Sequence, residues 1–191
     1  SDEIIDFYVK EIKSGLEKFA SEYEKDIKDL ASTLLFTVTN GTNYIVGHLG
    51  DGLIAKIAGD KIEKFSDSEN EKFSNFTFFT TTENLKDHLR IYKGDLEEIS
   101  AFVLMSDGTC DAMFNKQKNI FSNALLDINK WIKYNPRKKV EKQLHRALYD
   151  VVRKKTNDDC SIVFLGYFKY DLIGLYKKYS NSIYKPIKDK E

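Results

Sequence analysis

The patterning of this 191-residue chain predicts an α+β fold built as a four-layer α/β/β/α sandwich, two antiparallel sheets flanked by helices. Three observations carry that expectation. A long amphipathic segment opens the chain, short apolar strands broken at glycine-containing turns follow it, and two more helical segments precede a final apolar strand near Cys160. Strands interrupted by helix pairs fit layers packed around one core. A chain of this length with 41% hydrophobic residues buries one core well and is short for two. Residues 1–170 therefore read as one domain, and 171–191 as a C-terminal helix and tail.

Ile4, Tyr8, Ile12, Leu16, Phe19, Tyr23, Ile27 and Leu30 recur at steps of three and four, with Lys, Glu and Asp between them. That is the stripe of a single long helix facing a core. Residues 33–39 and 42–49 flank Asn40-Gly41, the pair favoured in a tight type I′ turn, and read as adjacent antiparallel strands. Gly50-Asp51-Gly52 punctuates the sheet, 53–58 gives a third strand, Gly59-Asp60 turns, and 61–64 gives a fourth. The result is a meander with Asp51 at a corner. Residues 66–75 are polar and loop-like, 76–80 reads as another strand, and 82–90 as a short helix capped by Thr82 with Leu85 and Leu89 on one face. After the strand at 102–105, helices are expected at 119–132 and from Pro136, a good first-turn residue, through Val152. Residues 160–167 form the last core strand, and a helix carrying Leu172, Leu175 and Tyr179 leads into a lysine-rich end that should fray.

Thirty basic and thirty acidic residues cancel, and the pI is about 6.8. This leaves no electrostatic footprint for nucleic acid or an anionic membrane. The basic residues from Arg137 to Lys155 fit the solvated side of a helix better than a nucleic-acid surface. No apolar stretch approaches the roughly 20 residues that span a bilayer, and the N-terminus lacks a signal-peptide pattern, so a cytoplasmic protein is expected. Cys110 and Cys160 lack zinc-like spacing and read as reduced thiols. The chain opens on Ser1-Asp2 without a methionine, as a piece of a longer protein would.

The stretch that organises the chemistry is Phe102-Val103-Leu104-Met105-Ser106-Asp107-Gly108: a buried strand that stops at a carboxylate. Gly108 lets the backbone turn sharply, so that Asp107 can face a cavity, although Ser-Asp-Gly is also a common turn. Asp51 at a Gly-flanked corner and Asp158 just ahead of a strand sit at comparable places. Hard divalent cations such as magnesium or manganese (Mg2+ or Mn2+) take oxygen ligands of this kind, whereas zinc would want the His or Cys groupings that are missing. His48, close to Asp51, fits either a polar structural role or a part in the site.

The order of these pieces resembles a known family. Ala31-Ser32-Thr33-Leu34-Leu35, the hairpin running to Val46-Gly47-His48-Leu49-Gly50-Asp51-Gly52, the strand ending in Asp107-Gly108, and Asp158-Asp159-Cys160-Ser161-Ile162-Val163 are similar to the metal-dependent serine/threonine protein phosphatases of type 2C. Asn75-Phe76-Thr77-Phe78-Phe79-Thr80-Thr81 resembles the bacterial branch. The resemblance implies the sandwich named above and hydrolysis of phosphoserine and phosphothreonine on proteins by a metal-activated water. It further implies that Asp107 and Asp158 bind the catalytic metal pair, with Asp51 near a third position. Ser161 falls where the family has threonine, and Asp159 stands in place of its asparagine.

The family opens with strands carrying Asn-Glu-Asp and Asp-Gly-x-Gly-Gly segments that have no counterpart here. The expectation is therefore the larger C-terminal part of a signalling phosphatase, poorly active alone, with a phosphorylated protein as substrate and strand edges open to self-association. Two rivals are a pseudophosphatase that binds a protein or phosphopeptide without turnover, and an unrelated α+β binding module whose aspartates cap turns.

Overall fold

A computed structural model of the chain describes residues 2–66 and 77–166. Helix α1 (Asp2–Glu22) lays Tyr8, Val9 and Ile12 on a cluster around buried Leu49, Leu85 and Leu89. The single helix expected to reach Leu30 is broken. Glu24 takes a left-handed φ of 51°, and Asp26 starts a separate 3-10 turn, Ile27–Leu30, by accepting a hydrogen bond from the Lys28 N–H at 3.0 Å. The apolar period overran the helix because Phe19 and Tyr23 are exposed and stack on each other instead of on the core.

Strands β1 (Leu34–Thr39) and β2 (Asn43–Leu49) form the expected hairpin, but its turn is wider than type I′. Gly41 alone of the central pair has positive φ, 91°, and Asn40 Oδ1 accepts hydrogen bonds from the Thr42 and Asn43 N–H groups. An asparagine that folds its side chain onto its own turn does not need the left-handed backbone. Beyond the hairpin come β3 (Leu53–Ala58), β4 (Lys61–Ser66), α2 (Leu85–His88), β5 (Arg90–Asp95), β6 (Ile99–Met105), α3 (Asp107–Met113), β7 (Phe114–Asn115), β8 (Ile120–Phe121), α4 (Ala124–Tyr134), α5 (Arg137–Ala147) and β9 (Ile162–Gly166).

The expected meander is two sheets. One is antiparallel in the order β1-β2-β5, the other antiparallel in the order β4-β3-β6-β9, and the chain crosses between them at Gly50-Asp51-Gly52. Both glycines are needed there. Gly50 has φ 105°, and a Cβ on it would lie 2.3 Å from the Thr33 methyl; one on Gly52 would lie 2.7 Å from the Met105 carbonyl oxygen.

Other elements shift from expectation for local reasons. Residues 77–80 form no strand, and Asn84 rather than Thr82 precedes α2, because Thr82 Oγ1 accepts from the Phe79 N–H instead. The helix expected from residue 119 starts at Ala124, since Asn119, at φ 51°, lies between β7 and β8. β5 was not anticipated. The loop at 67–75, Phe76, Tyr167 and the helix expected beyond 171 lie outside the described residues.

Three buried clusters give the layers. Leu49, Leu85 and Leu89 join α1 and α2 to the first sheet; Val46, Ile54, Leu96, Phe102 and Leu104 fill the space between the sheets; Leu53, Ala55, Ile57, Val103 and Met105 pack outward on Cys110, Phe114, Phe121 and Leu125. The order is helix, sheet, sheet, helix. Among the described residues no helix is long and apolar enough to cross a membrane.

Phe102 is 1% exposed and meets the rings of Tyr44 and Phe65 edge-on, so it clamps the two sheets together. Phe102→Ala should lower stability to urea by about 3–5 kcal/mol. Val163→Ala, at a side chain 56% exposed on β9, should change it by less than about 0.5 kcal/mol. Comparable losses at the two positions would refute the placement of the core between the sheets.

Candidate functional site

The second sheet decides where the carboxylates go. Leu53 opens β3 and pairs with Met105, which closes β6, and Met105 pairs with Ile162, which opens β9. Residues just before β3, just after β6 and just before β9 therefore leave one end of the sheet. Asp51, Asp107 and Asp158 are those residues.

Asp107 is the first residue of α3, and its carboxyl accepts a hydrogen bond from the Gly108 N–H. The turn carrying Asp158 is fastened to the end of β6 by Ser106. The Ser106 N–H donates to the Ser161 carbonyl at 3.1 Å, its hydroxyl donates to the Asp159 carbonyl at 3.1 Å, and the same hydroxyl accepts from the Ser161 N–H at 3.0 Å. Gly108 is required here by close approach and not, as the sequence suggested, by a sharp turn. A Cβ on it would stand 2.6 Å from the Asp159 carbonyl oxygen and 3.1 Å from the Asp158 Cβ.

Burial pushes the Asp107 carboxyl above the ordinary carboxylate value; the Gly108 N–H opposes this, while the charges of Asp51 and Asp158 and a hydrogen bond with Asp158 add to it. In its protonated form Asp107 donates to the Asp158 carboxylate. Asp158 Oδ1 also accepts from the Asp159 N–H at 2.8 Å. Asp51 acts on Asp107 through its charge and accepts a hydrogen bond from the Thr77 hydroxyl at 2.9 Å. Thus Asp107 and Asp158 touch and Asp51 stands close by. Among the described residues no three Asp, Glu, His or Cys side chains gather tightly enough to hold an ion as a group. The donor set is all oxygen, which suits a hard cation and not zinc. Beside Asp107 opens a cavity of about 200 Å3 lined by Thr33, Leu35, Gly52, Ser106 and Ser161, among others.

His48 takes the structural role. It is buried, with Nδ1 2.7 Å from the Ser66 hydroxyl. Cys110 belongs to the core under α3, while Cys160 is half-buried with its thiol 3.6 Å from the Asp158 carbonyl; neither is part of a disulfide. Sequence reasoning missed Thr77 and Ser106. Only the serine had a visible signal, as the residue that immediately precedes the Asp-Gly pair.

Two expectations follow. The raised Asp107 pKa means that the folded state binds more protons than the unfolded one between the ordinary value of 3.8 and the folded value, so stability falls as pH rises through that interval and stays reduced above it. In chelator, Asp107→Asn should therefore raise the melting temperature at pH 7, with the gain vanishing below pH 3.8; a lower melting temperature at pH 7 would contradict the crowding described. Gly108→Ala should cost about 1–3 kcal/mol by overpacking and drive the turn at Asp158 away, measurable as lost stability together with a fall in the Asp107 pKa by NMR. An unchanged Asp107 pKa would count against the contact.

Comparison with known proteins agrees with this fold. The family model for protein phosphatase 2C matches residues 2–149. No curated protein matches the chain. Solved structures share its fold: a bacterial serine phosphatase (TM-score 0.56, 15% identity, covering 85% of this chain and 66% of that one), the serine/threonine phosphatase Stp1 from Staphylococcus aureus (0.54, 15%, 86% and 67%), and the S. agalactiae serine/threonine phosphatase (0.56, 18%, 87% and 72%). The chain spans about two thirds of the length of these phosphatases. With the family model covering most of its length and the layered sandwich reproduced, the chain belongs to the protein phosphatase 2C family.

Proposed function

We propose that this chain forms part of a cytoplasmic enzyme that hydrolyses phosphoserine and phosphothreonine on proteins, with Asp107, Asp158 and Asp51 holding magnesium or manganese. The observation that carries the reading is the convergence of three carboxylates from separate segments at one end of the second sheet, with Asp107 partly desolvated against Asp158. Carboxylates that only shaped turns would have no reason to crowd. Bound divalent cations supply the charge that draws phosphoryl oxygens and acidifies water.

The chain's own residues set the frame. Ser106 and Gly108 fix the spacing between Asp107 and the Asp158 turn, and Thr77 orients Asp51. The cavity beside Asp107 gives a phosphoryl group access from the side of Thr33 and Ser161.

A second reading, a pseudophosphatase that binds phosphorylated partners without turnover, would use the same carboxylates and the same cavity beside Asp107. Manganese-dependent release of phosphate from a phosphothreonine peptide, assayed on the natural full-length protein, separates the two. Asp107→Asn should reduce turnover by more than the roughly 10–100-fold typical of a change behind the ligands, because it removes ligand charge at nearly constant shape. Full activity in that variant would refute the role of Asp107. Manganese-dependent peptide binding with no phosphate release would establish the binding module.

A further inference from the structure

Past α5 the helix departs from α geometry. Leu148–Val152 form a π-helical turn and Arg153–Lys155 a 3-10 turn. The consequence is alignment. A step of four residues overshoots an α turn of about 3.6 residues and falls short of a wider π turn, so the steps from His145 to Tyr149 and from Tyr149 to Arg153 offset each other across the junction. The three side chains line one cavity of about 230 Å3, whose other lining includes Asp158, Asp159 and Cys160. Segments of π-helix recur at functional sites.

The charges in this cavity are not paired off. The Arg153 guanidinium lies 5.6 Å from the centre of the Tyr149 ring, a cation–π distance, and has no carboxylate partner among the described residues although two aspartates share its cavity. The Asp158 carboxylate accepts from the Asp159 N–H at 2.8 Å and belongs to the cluster proposed to hold the cations, which would offset its charge. Asp159 alone remains as an opposing charge. An arginine fork held open against an aromatic ring, with an imidazole in the same row, matches a carboxylate or phosphate in two-point contact.

We propose that this cavity is a subsite for an anionic side chain, a carboxylate or a second phosphate, flanking the phosphorylated residue of a peptide substrate. The assignment rests on the phosphatase reading for one step: Asp158 is common to the carboxylate cluster and the cavity, so a peptide presenting its phosphoryl group to Asp107 and Asp158 runs on past Arg153.

The test is fluorescence anisotropy of labelled peptides in which a non-hydrolysable phosphonate replaces phosphothreonine, titrated with the natural full-length protein in manganese. The flanking residue is varied among Glu, phosphoserine, Gln and Lys. The Glu and phosphoserine peptides should bind about fivefold more tightly than the Gln peptide, the better of the two naming the natural source of the anion. Arg153→Gln should erase that preference without lowering the melting temperature, and Arg153→Lys should keep only part of it, since the charge survives and the fork does not. Equal binding of all peptides, tightest binding of the Lys peptide, a preference that survives Arg153→Gln, or no binding of any peptide would each overturn the subsite. Hydrolysis of p-nitrophenyl phosphate, too small to reach Arg153, separates the two assignments. An anion preference in a protein with no manganese-dependent hydrolysis would leave the subsite standing and sink the phosphatase reading. Hydrolysis without any anion preference would do the reverse.

Discussion

Asp107 and Asp158 carry like charges and still meet, because the backbone behind them is fastened by bonds that do not depend on those charges. Ser106 contributes a main-chain donor, a hydroxyl donor and a hydroxyl acceptor to the 158–161 turn, and Gly108 leaves room for the Asp159 carbonyl. Each neutral hydrogen bond of this kind is worth about 1 kcal/mol net. Three of them, acting between the ends of adjacent strands, offset a repulsion that would otherwise open the turn. Without that fastening the site would be two solvated aspartates on separate loops.

The third carboxylate arrives by a different constraint. β2 and β3 belong to different sheets, so the chain must pass from one layer to the other within Gly50-Asp51-Gly52. So short a crossing is possible because neither glycine presents a Cβ to Thr33 or Met105. Asp51 is thereby carried to the end of the second sheet where β6 stops and β9 starts, and the Thr77 hydroxyl orients it there. The inter-sheet cluster around Phe102 and Ile54 sets the spacing of the two layers, so the position of Asp51 relative to Asp107 is inherited from core packing.

The residues that were legible in the sequence were those whose local chemistry fixed their place. Asp51, Asp107 and Asp158 each stood at a strand boundary, and the hairpin at Asn40-Gly41 and the buried run before Asp107 followed from period and turn chemistry. The assignment of strands to two sheets was not legible, since an alternating strand fits any neighbour equally well until the inter-sheet contacts choose. β5 was missed because Lys93, Gly94 and Asp95 dilute its apolar residues, and its place is set by pairing with β2 along its length. α3 was hidden by its start at Ser-Asp-Gly, which has the composition of a turn. The hydrogen bond from Thr77 to Asp51 spans 26 residues and leaves no local trace.

What separates Asp107 from an ordinary turn former is its cost. A carboxylate that caps a turn is solvated, or satisfied by nearby N–H groups that favour its charged form, so nothing there raises its pKa. Asp107 accepts one such bond, from Gly108, and burial together with its two acidic neighbours outweighs it. The fold therefore holds a carboxylate where, without a counter-charge, it lowers stability at neutral pH. Natural sequences tolerate such local conflicts at functional sites and lose them elsewhere, because a neutral residue at the same place would fold better. The crowding of Asp107 against Asp158, with Asp51 alongside, favours a cation-binding role on physical grounds that stand apart from any family resemblance.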